Sequence, residues 1–356
     1  MKLGLIYYNQ NNDSKAMDYY TQVIDDYPGS AEAKEALLAI RDISPEAYLD
    51  RVTDASDRER DSLNYVIAEG FYRDEDCDKA IIAFDQYLDD FPKGQRVLEG
   101  YFFKGECLFK NDRFDEALGD YEFVIEAPRS VYSETALLKA ARITYFKQED
   151  FAKAINFYEQ LLEITEYKDN TFEAIKGLLR STYQLKRYND VLRYAKDMLK
   201  EPQANQDDII TANYYSAKAW MDKRNTDSAF HYFDKTAQLT TNERGVEARF
   251  QMAKIIFDEG DNDESMERAR EVINDMPAYE EWVIKSYILI ADIMVAKDKL
   301  MQAKASLKSI IDNYKGDPAL LQLAQDKYDE VVAMEKRGSK IRMDGDNDEF
   351  EMQDGE

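Results

Sequence analysis

Apolar residues in this chain recur at spacings of three and four, the pattern of a helix with one buried face, and the pattern restarts at a fixed interval. A small residue is followed four positions later by a large ring at Ala80 and Phe84, Ala117 and Tyr121, Ala154 and Tyr158, and Ala229 and Phe233. Successive anchors run from Ala80 through Ala117, Ala154, Val191, Ala229 and Ser265 to Ala303, at separations of 37, 37, 37, 38, 36 and 38 residues. So constant a period predicts one helical unit copied many times.

Each copy has the same internal layout. With Ala16 as a further anchor, the ninth residue upstream is Tyr7, Phe71, Leu108, Tyr145, Thr182, Trp220, Ile256 or Met294, large and apolar or aromatic in all but one. The twelfth upstream is Gly4, Ala68, Gly105, Arg142, Leu179, Ala217, Ala253 or Ala291, small in six, so that two helices can approach closely; Arg142 and Leu179 break the rule. Pro28, Pro92, Pro128, Pro202 and Pro277 stand eleven or twelve residues past an anchor, where proline ends a helix. A polar turn such as Lys110-Asn111-Asp112-Arg113 divides the unit. Each unit is therefore a helical hairpin, and neither of its helices can bury an apolar stripe except by stacking on neighbouring hairpins.

This layout resembles the tetratricopeptide repeat, whose signature places an aromatic, a Leu-Gly pair, a Tyr, an Ala, a Phe and a Pro in order. Gly105, Ala117, Tyr121 and Pro128 carry the resemblance in one unit and Gly4, Tyr7, Ala16, Tyr20 and Pro28 in another, and it covers about residues 1 to 316. It implies an all-α fold: a right-handed superhelical α-solenoid of stacked helix-turn-helix hairpins. Longer turns between hairpins would account for a period above the family's 34. The stretches LLKAARITYFKQEDFAKAINFYEQL and YILIADIMVAKDKLMQAKASLKSIIDNYKG are also similar to segments of long repeat proteins from Bacteroidota cell envelopes. That second resemblance implies an envelope or periplasmic setting and no mechanism.

The repeat phase divides the chain into four parts. Residues 1–53 hold one hairpin and a degenerate one, because Ala16 and Ala80 lie 64 apart; residues 54–316 hold seven hairpins. Residues 317–337 form an amphipathic capping helix, and 338–356 an acidic tail expected to be disordered. The polar run Asp54 to Asp61 is expected to be a loop or a hinge. Met1 enters a unit at its fifth position, which suggests the C-terminal part of a longer protein.

Composition narrows the partners. In 356 residues, 47 Lys and Arg face 72 Asp and Glu, a formal charge of −25 that repels phosphate backbones and anionic lipid. Nucleic acid is excluded as the main partner, and no stretch approaches the length of a membrane span. Cys77 and Cys107 are too few for a disulfide framework and are read as unpaired thiols. No Walker loop, dinucleotide fingerprint or zinc spacing appears, so no cofactor or metal is expected. His231 is the only histidine and is read as structural. The acidic pairs Asp89-Asp90 and Asp207-Asp208 are read as solvated helix ends, although a helical-toroid hydrolase would also need paired carboxylates.

In the tetratricopeptide family the first helix of each hairpin lines a concave groove, with ligand-facing positions fifteen, eleven, eight and seven before the anchor. On this chain the eighth position gives the rings Tyr8, Tyr72, Phe109, Phe146, Tyr183 and Phe257, of which all but Tyr8 are taken as candidate site residues, and which either line a groove or pad the interface between hairpins. The other positions give Lys139, Lys147, Lys176, Arg180, Lys218 and Lys254, either a basic floor for an acidic or C-terminal-carboxylate segment or plain solvated charge. The acidic tail could compete for such a floor. The reading that results is a non-enzymatic scaffold binding a protein or peptide through its groove. The alternative is a structural subunit of an envelope assembly that binds through its ends or convex face.

Overall fold

The computed structural model of the chain describes residues 1–28, 30–44, 47–48, 51 and 57–351, with the side chains of 57–59 and of 338 onward excepted. Among the described residues it is all α, with eighteen helices and no strand. Two compact units, Met1–Ala174 and Ile175–Glu356, divide the chain.

The first unit opens with the hairpin α1 (Lys2–Asn9) and α2 (Asp13–Asp26), followed by α3 (Ala31–Ile43). Three hairpins come next: α4 (Asp57–Arg73) with α5 (Cys77–Asp90), α6 (Val97–Lys110) with α7 (Phe114–Glu126), and α8 (Ser133–Phe146) with α9 (Phe151–Ile164). Helix α10 (Lys168–Gln184) contains the boundary between the units. The second unit continues with α11 (Tyr188–Met198), then α12 (Gln206–Asp222) with α13 (Thr226–Leu239) and α14 (Glu243–Asp258) with α15 (Asn262–Asp275). It ends with α16 (Glu280–Ala296), α17 (Leu300–Asn313) and α18 (Pro318–Glu351).

The turn inside each hairpin fixes the repeat's register. A residue with left-handed backbone stands five before every anchor: Asn11, Glu75, Asp112, Glu149, Lys186, Arg224, Gly260 and Asp298, with φ from +53° to +60° except at Gly260, where it is +94°. The next residue starts the second helix and, in seven of the eight turns, donates its N–H to the carbonyl of the residue nine before the anchor, as Asp76 does to Phe71 and Asn225 to Trp220. The first helix thereby closes on itself as the second opens. Where that residue is Asn12, Asp76, Asp150, Asn225 or Asp261, its side chain also accepts the N–H three residues on, satisfying a donor that the helix start leaves free.

All eight anchors have no exposed surface. The residue four further on, Tyr20, Phe84, Tyr121, Tyr158, Ala195, Phe233, Ala269 or Leu307, is at most 1% exposed. Close approach is visible at Gly4, where an added Cβ would lie 2.5 Å from the Tyr20 ring, and at Gly105, where it would lie 3.2 Å from Tyr121. Ser265 fits the anchor position by donating its hydroxyl to the Ala253 carbonyl at 2.8 Å. At the two exceptions to the small-residue rule, Leu179 is fully buried, whereas Arg142 turns outward to pair with Glu173 at 3.0 Å.

Three expectations need adjusting. The residues beyond the family period lie partly in longer first helices, since α10, α12 and α16 each have 17 residues, and not only in the turns between hairpins. Residues 57–61 belong to α4, so the run expected as loop or hinge is helical over its described part. The reason is Asp61, which folds inward to accept the Tyr87 hydroxyl at 2.8 Å and the Gln95 N–H at 2.9 Å. The rest of that run, residues 54–56, lies outside the described residues. Helix α18 continues to Glu351, past Arg337, where the capping helix was expected to give way to a disordered tail. A helix nucleated in its packed first half gains one hydrogen bond per added residue, and no proline interrupts 319–351.

Candidate functional site

The rings eight before the anchor do not share one environment. What separates them is the residue fourteen before the following anchor. In the first unit Tyr72 meets Phe103 there, with ring centroids 4.7 Å apart. In the second unit Tyr183 meets Tyr215, stacked at 4.4 Å, and Phe257 packs with Leu289. For Phe109 the corresponding residue is Ala140, which has no ring to offer, and the Lys139 ammonium lies over Phe109 instead, 4.0 Å from its centroid. Phe146 stands 57% exposed, edge-on to Tyr145.

The open environment around Phe109 is a cleft of about 710 Å³ in the first unit, and it brings together three of the expected site residues, Tyr72, Phe109 and Lys139. Arg73, Glu75, Glu106, Lys110 and Asp112 complete its polar lining, with Cys77, a buried free thiol, at its edge. Glu106 is the junction of this site. It accepts the Tyr121 hydroxyl at 2.6 Å and lies 3.9 Å from the Lys139 ammonium. Burial and the Glu106 carboxylate hold the Tyr121 hydroxyl far above its ordinary pKa, so it remains a donor.

The expected basic floor is largely neutralised. Besides Lys139, Lys176 pairs with Asp208 at 2.8 Å and Lys218 with Glu247 at 2.7 Å. Glu247 also accepts the Tyr214 hydroxyl at 2.5 Å, repeating in the second unit the tyrosine, carboxylate and lysine arrangement of the first. Lys147 lies 4.3 Å from the Phe114 ring centroid. Arg180, partly buried, and Lys254, exposed, have no carboxylate within ion-pair distance among the described residues. Sequence spacing locates these cations but not the carboxylates opposite them, because Asp208 and Glu247 sit outside the four positions carried over from the family.

The other chemistry-bearing residues fall into structural places. Asp208 is the acidic member of a capping box with Asn205 at the start of α12, while Asp207 is exposed. His231 is exposed on α13 against the edge of Tyr232, 5.3 Å between centroids. Among the described residues no group of three or more His, Cys, Asp or Glu could hold a metal ion, and no helix is long and apolar enough to cross a membrane.

Within each unit, then, the fold is a helical repeat scaffold, a class that offers an extended surface made of first helices in series. Models of the tetratricopeptide repeat match residues 1–30, 65–130 and 136–167, so the chain contains tetratricopeptide repeats. Among solved structures, the C-terminal part of a tetratricopeptide repeat-containing protein from Cytophaga hutchinsonii is similar with a TM-score of 0.51 at 14% identity, over 72% of this chain and 97% of that one. A tetratricopeptide repeat protein from Parabacteroides merdae is 16% identical over 74% of this chain and 98% of that one, with a TM-score of 0.37. The apo quorum sensor NprR from B. thuringiensis is 14% identical over 93% and 95%, with a TM-score of 0.44. No curated protein matches the chain. The family gives the function class, a protein-interaction scaffold, and is typically non-catalytic.

Proposed function

We propose that this chain holds a peptide segment of a partner protein on the face carried by its first helices, and that the cleft of Tyr72, Phe109 and Lys139 is the principal contact. The observation that carries this reading is that no ring stacks on Phe109 from the next hairpin: Phe114 meets it edge-on at 5.5 Å between centroids and the Lys139 ammonium lies over it, and Phe109 and Lys139 both border the cleft, whereas Tyr183 is stacked by Tyr215 and Phe257 packs with Leu289. Aromatic faces supply contact area at small conformational cost. The pairing of Lys139, Lys176 and Lys218 with carboxylates favours a ligand recognised chiefly through apolar side chains, in place of the acidic segment that unpaired lysines would select. Lys139 and Glu106 then orient it, one through a carbonyl and the other through an N–H.

Selection from a phage-displayed random peptide library tests this. Enriched peptides should carry an aromatic or branched apolar residue and bind the Phe109→Ala protein about tenfold more weakly, the loss of one good interfacial contact. Equal binding to wild type and Phe109→Ala would remove the cleft from the proposal.

A further inference from the structure

The break in the repeat makes a second opening. Between Ala16 and Ala80 the anchors lie 64 residues apart, and the space there is bounded by α1, α3, α4, α5 and Tyr48. The resulting cleft, about 530 Å³, is lined on its apolar side by Ile67, Phe71, Ile82 and Ala83. Ile82 is 68% exposed, an unusual place for a β-branched residue on a helix whose other large residues Ile81, Phe84 and Leu88 are buried.

Two polar features point into this opening. Tyr48 is 5% exposed, lines the cleft, and has no hydrogen-bond partner for its hydroxyl. A buried hydroxyl left without a partner is destabilising, and an incoming acceptor would recover that loss. The Arg41 guanidinium lies over Phe71, its central carbon 3.6 Å from the ring centroid, and donates to the Ile67 carbonyl at 3.4 Å. Arg41 and Lys79 line the cleft against a single carboxylate, Asp42, so the lining carries a net positive charge in a strongly acidic chain. Their existing partners, Asp42 for Arg41 and Asp76 for Lys79, are about half and one-third exposed, and ion pairs with such solvated carboxylates hold their members only weakly. A ligand carboxylate can share these cations.

We infer that the cleft at the repeat break is a distinct docking site for a partner peptide, one that inserts a large apolar side chain between Phe71 and Ile82 and sets an adjacent carboxylate against Tyr48 and Arg41. The inference rests on the reading of the chain as a peptide-binding scaffold but on different residues from the Phe109 cleft. The two sites differ in what they select: the Phe109 cleft takes an apolar side chain among paired charges, whereas the repeat-break cleft requires the apolar side chain and the carboxylate together.

The same random peptide library separates them. A class of enriched peptides with an apolar residue beside Asp, Glu or a free C-terminus should bind Ile82→Asp at least tenfold more weakly and Tyr48→Phe about fivefold more weakly, the loss of one hydrogen bond. Binding of that class to Phe109→Ala should be unchanged. Tyr48→Phe is also the folding control, because removing an unpartnered buried hydroxyl should leave the melting temperature equal or raised while affinity falls. If no such class is enriched, or if its peptides bind Tyr48→Phe and Ile82→Asp as they bind wild type, the site is overturned. If they are lost in Phe109→Ala alone, the binding belongs to the other cleft and the inference fails while the proposed function stands.

Discussion

Phe109 in the first unit and Tyr183 in the second occupy the same place in the repeat, yet one borders a cleft and the other is closed by a stacked ring. Both lie near the same arrangement, a carboxylate that accepts a tyrosine hydroxyl and faces a lysine ammonium. In the first unit the tyrosine comes from the second helix, Tyr121, and in the second unit from the first helix, Tyr214. The repeat thus preserves an electrostatic solution while changing which residue supplies it. Whether the ring above stays open is decided separately, by Ala140 against Tyr215. A groove position in a repeat protein is therefore a site only in combination with its counterpart one hairpin later.

The largest way to break this comparison is to remove the carboxylates. Glu247→Ala leaves the Tyr214 hydroxyl without its acceptor and Lys218, 28% exposed, without its partner at 2.7 Å, a loss expected to be about 3 kcal/mol. Glu106→Ala strands the fully buried Tyr121 hydroxyl but only loosens Lys139, already 3.9 Å away and able to keep Phe109, so about 2 kcal/mol is expected. Hydrogen exchange measured hairpin by hairpin would locate each loss, since units in a repeat array open locally. Equal losses at the two sites would mean that the shorter lysine contact contributes nothing.

Titration sharpens the comparison. Asp120, on α7 beside Gly105, is buried, and burial raises its pKa to about 6 against the attraction of Lys104 at 3.2 Å. The corresponding residue in the α12 and α13 hairpin is Tyr232, which has no carboxylate. Between its ordinary value of 3.8 and about 6 the folded chain keeps a proton that the unfolded chain has lost. Stability should accordingly fall as pH rises through that window, at no more than about 1.4 kcal/mol per pH unit from this group. Asp120→Asn should remove that slope from the exchange of α6 and α7, and a slope that survives the substitution would assign it elsewhere.

A smaller effect is expected at the closed ring. Tyr183 and Tyr215 stack at 4.4 Å, and a double-mutant cycle with leucine at each position should return a coupling of about 1 kcal/mol. Tyr215→Ala should in addition expose Tyr183 and turn the closed position into one like Phe109, gaining affinity for the apolar peptides the first unit selects. Failure to gain it would show that Lys139 and Glu106, and not an open ring alone, define the cleft.

The hairpins and their register were legible in the sequence because burial of the anchor and of the residue four beyond it leaves a strict pattern of small and large residues. The left-handed turn residue was not legible. Its position admits Asn11, Glu75, Lys186 and Arg224 alike, since the backbone bond to the residue nine before the anchor, and not the side chain, holds the conformation. The rings and five of the six cations lie on first helices, with Lys147 just past the end of α8, but their state depends on residues about thirty positions away. Asp208 and Glu247 carry no mark that they will face Lys176 and Lys218, and Ala140 reads simply as a buried small residue. The repeat-break cleft was marked in the sequence only by the 64-residue gap, because an interruption in a period says where packing fails and not what lines the space.

The smallest effect bears on what Lys139 does. It faces both the Phe109 ring, at 4.0 Å, and the Glu106 carboxylate, at 3.9 Å, and it is about one-quarter exposed. If its role is to finish the wall of the cleft, a cycle of Lys139→Met with Phe109→Leu should give a coupling of about 0.5 kcal/mol. The coupling with Glu106 should be no greater at low salt and smaller in 0.5 M salt, because an ion pair at that distance is screened and a contact with a ring face is screened less. A coupling to Glu106 that exceeds the coupling to Phe109 under both conditions would make Lys139 a strut between hairpins.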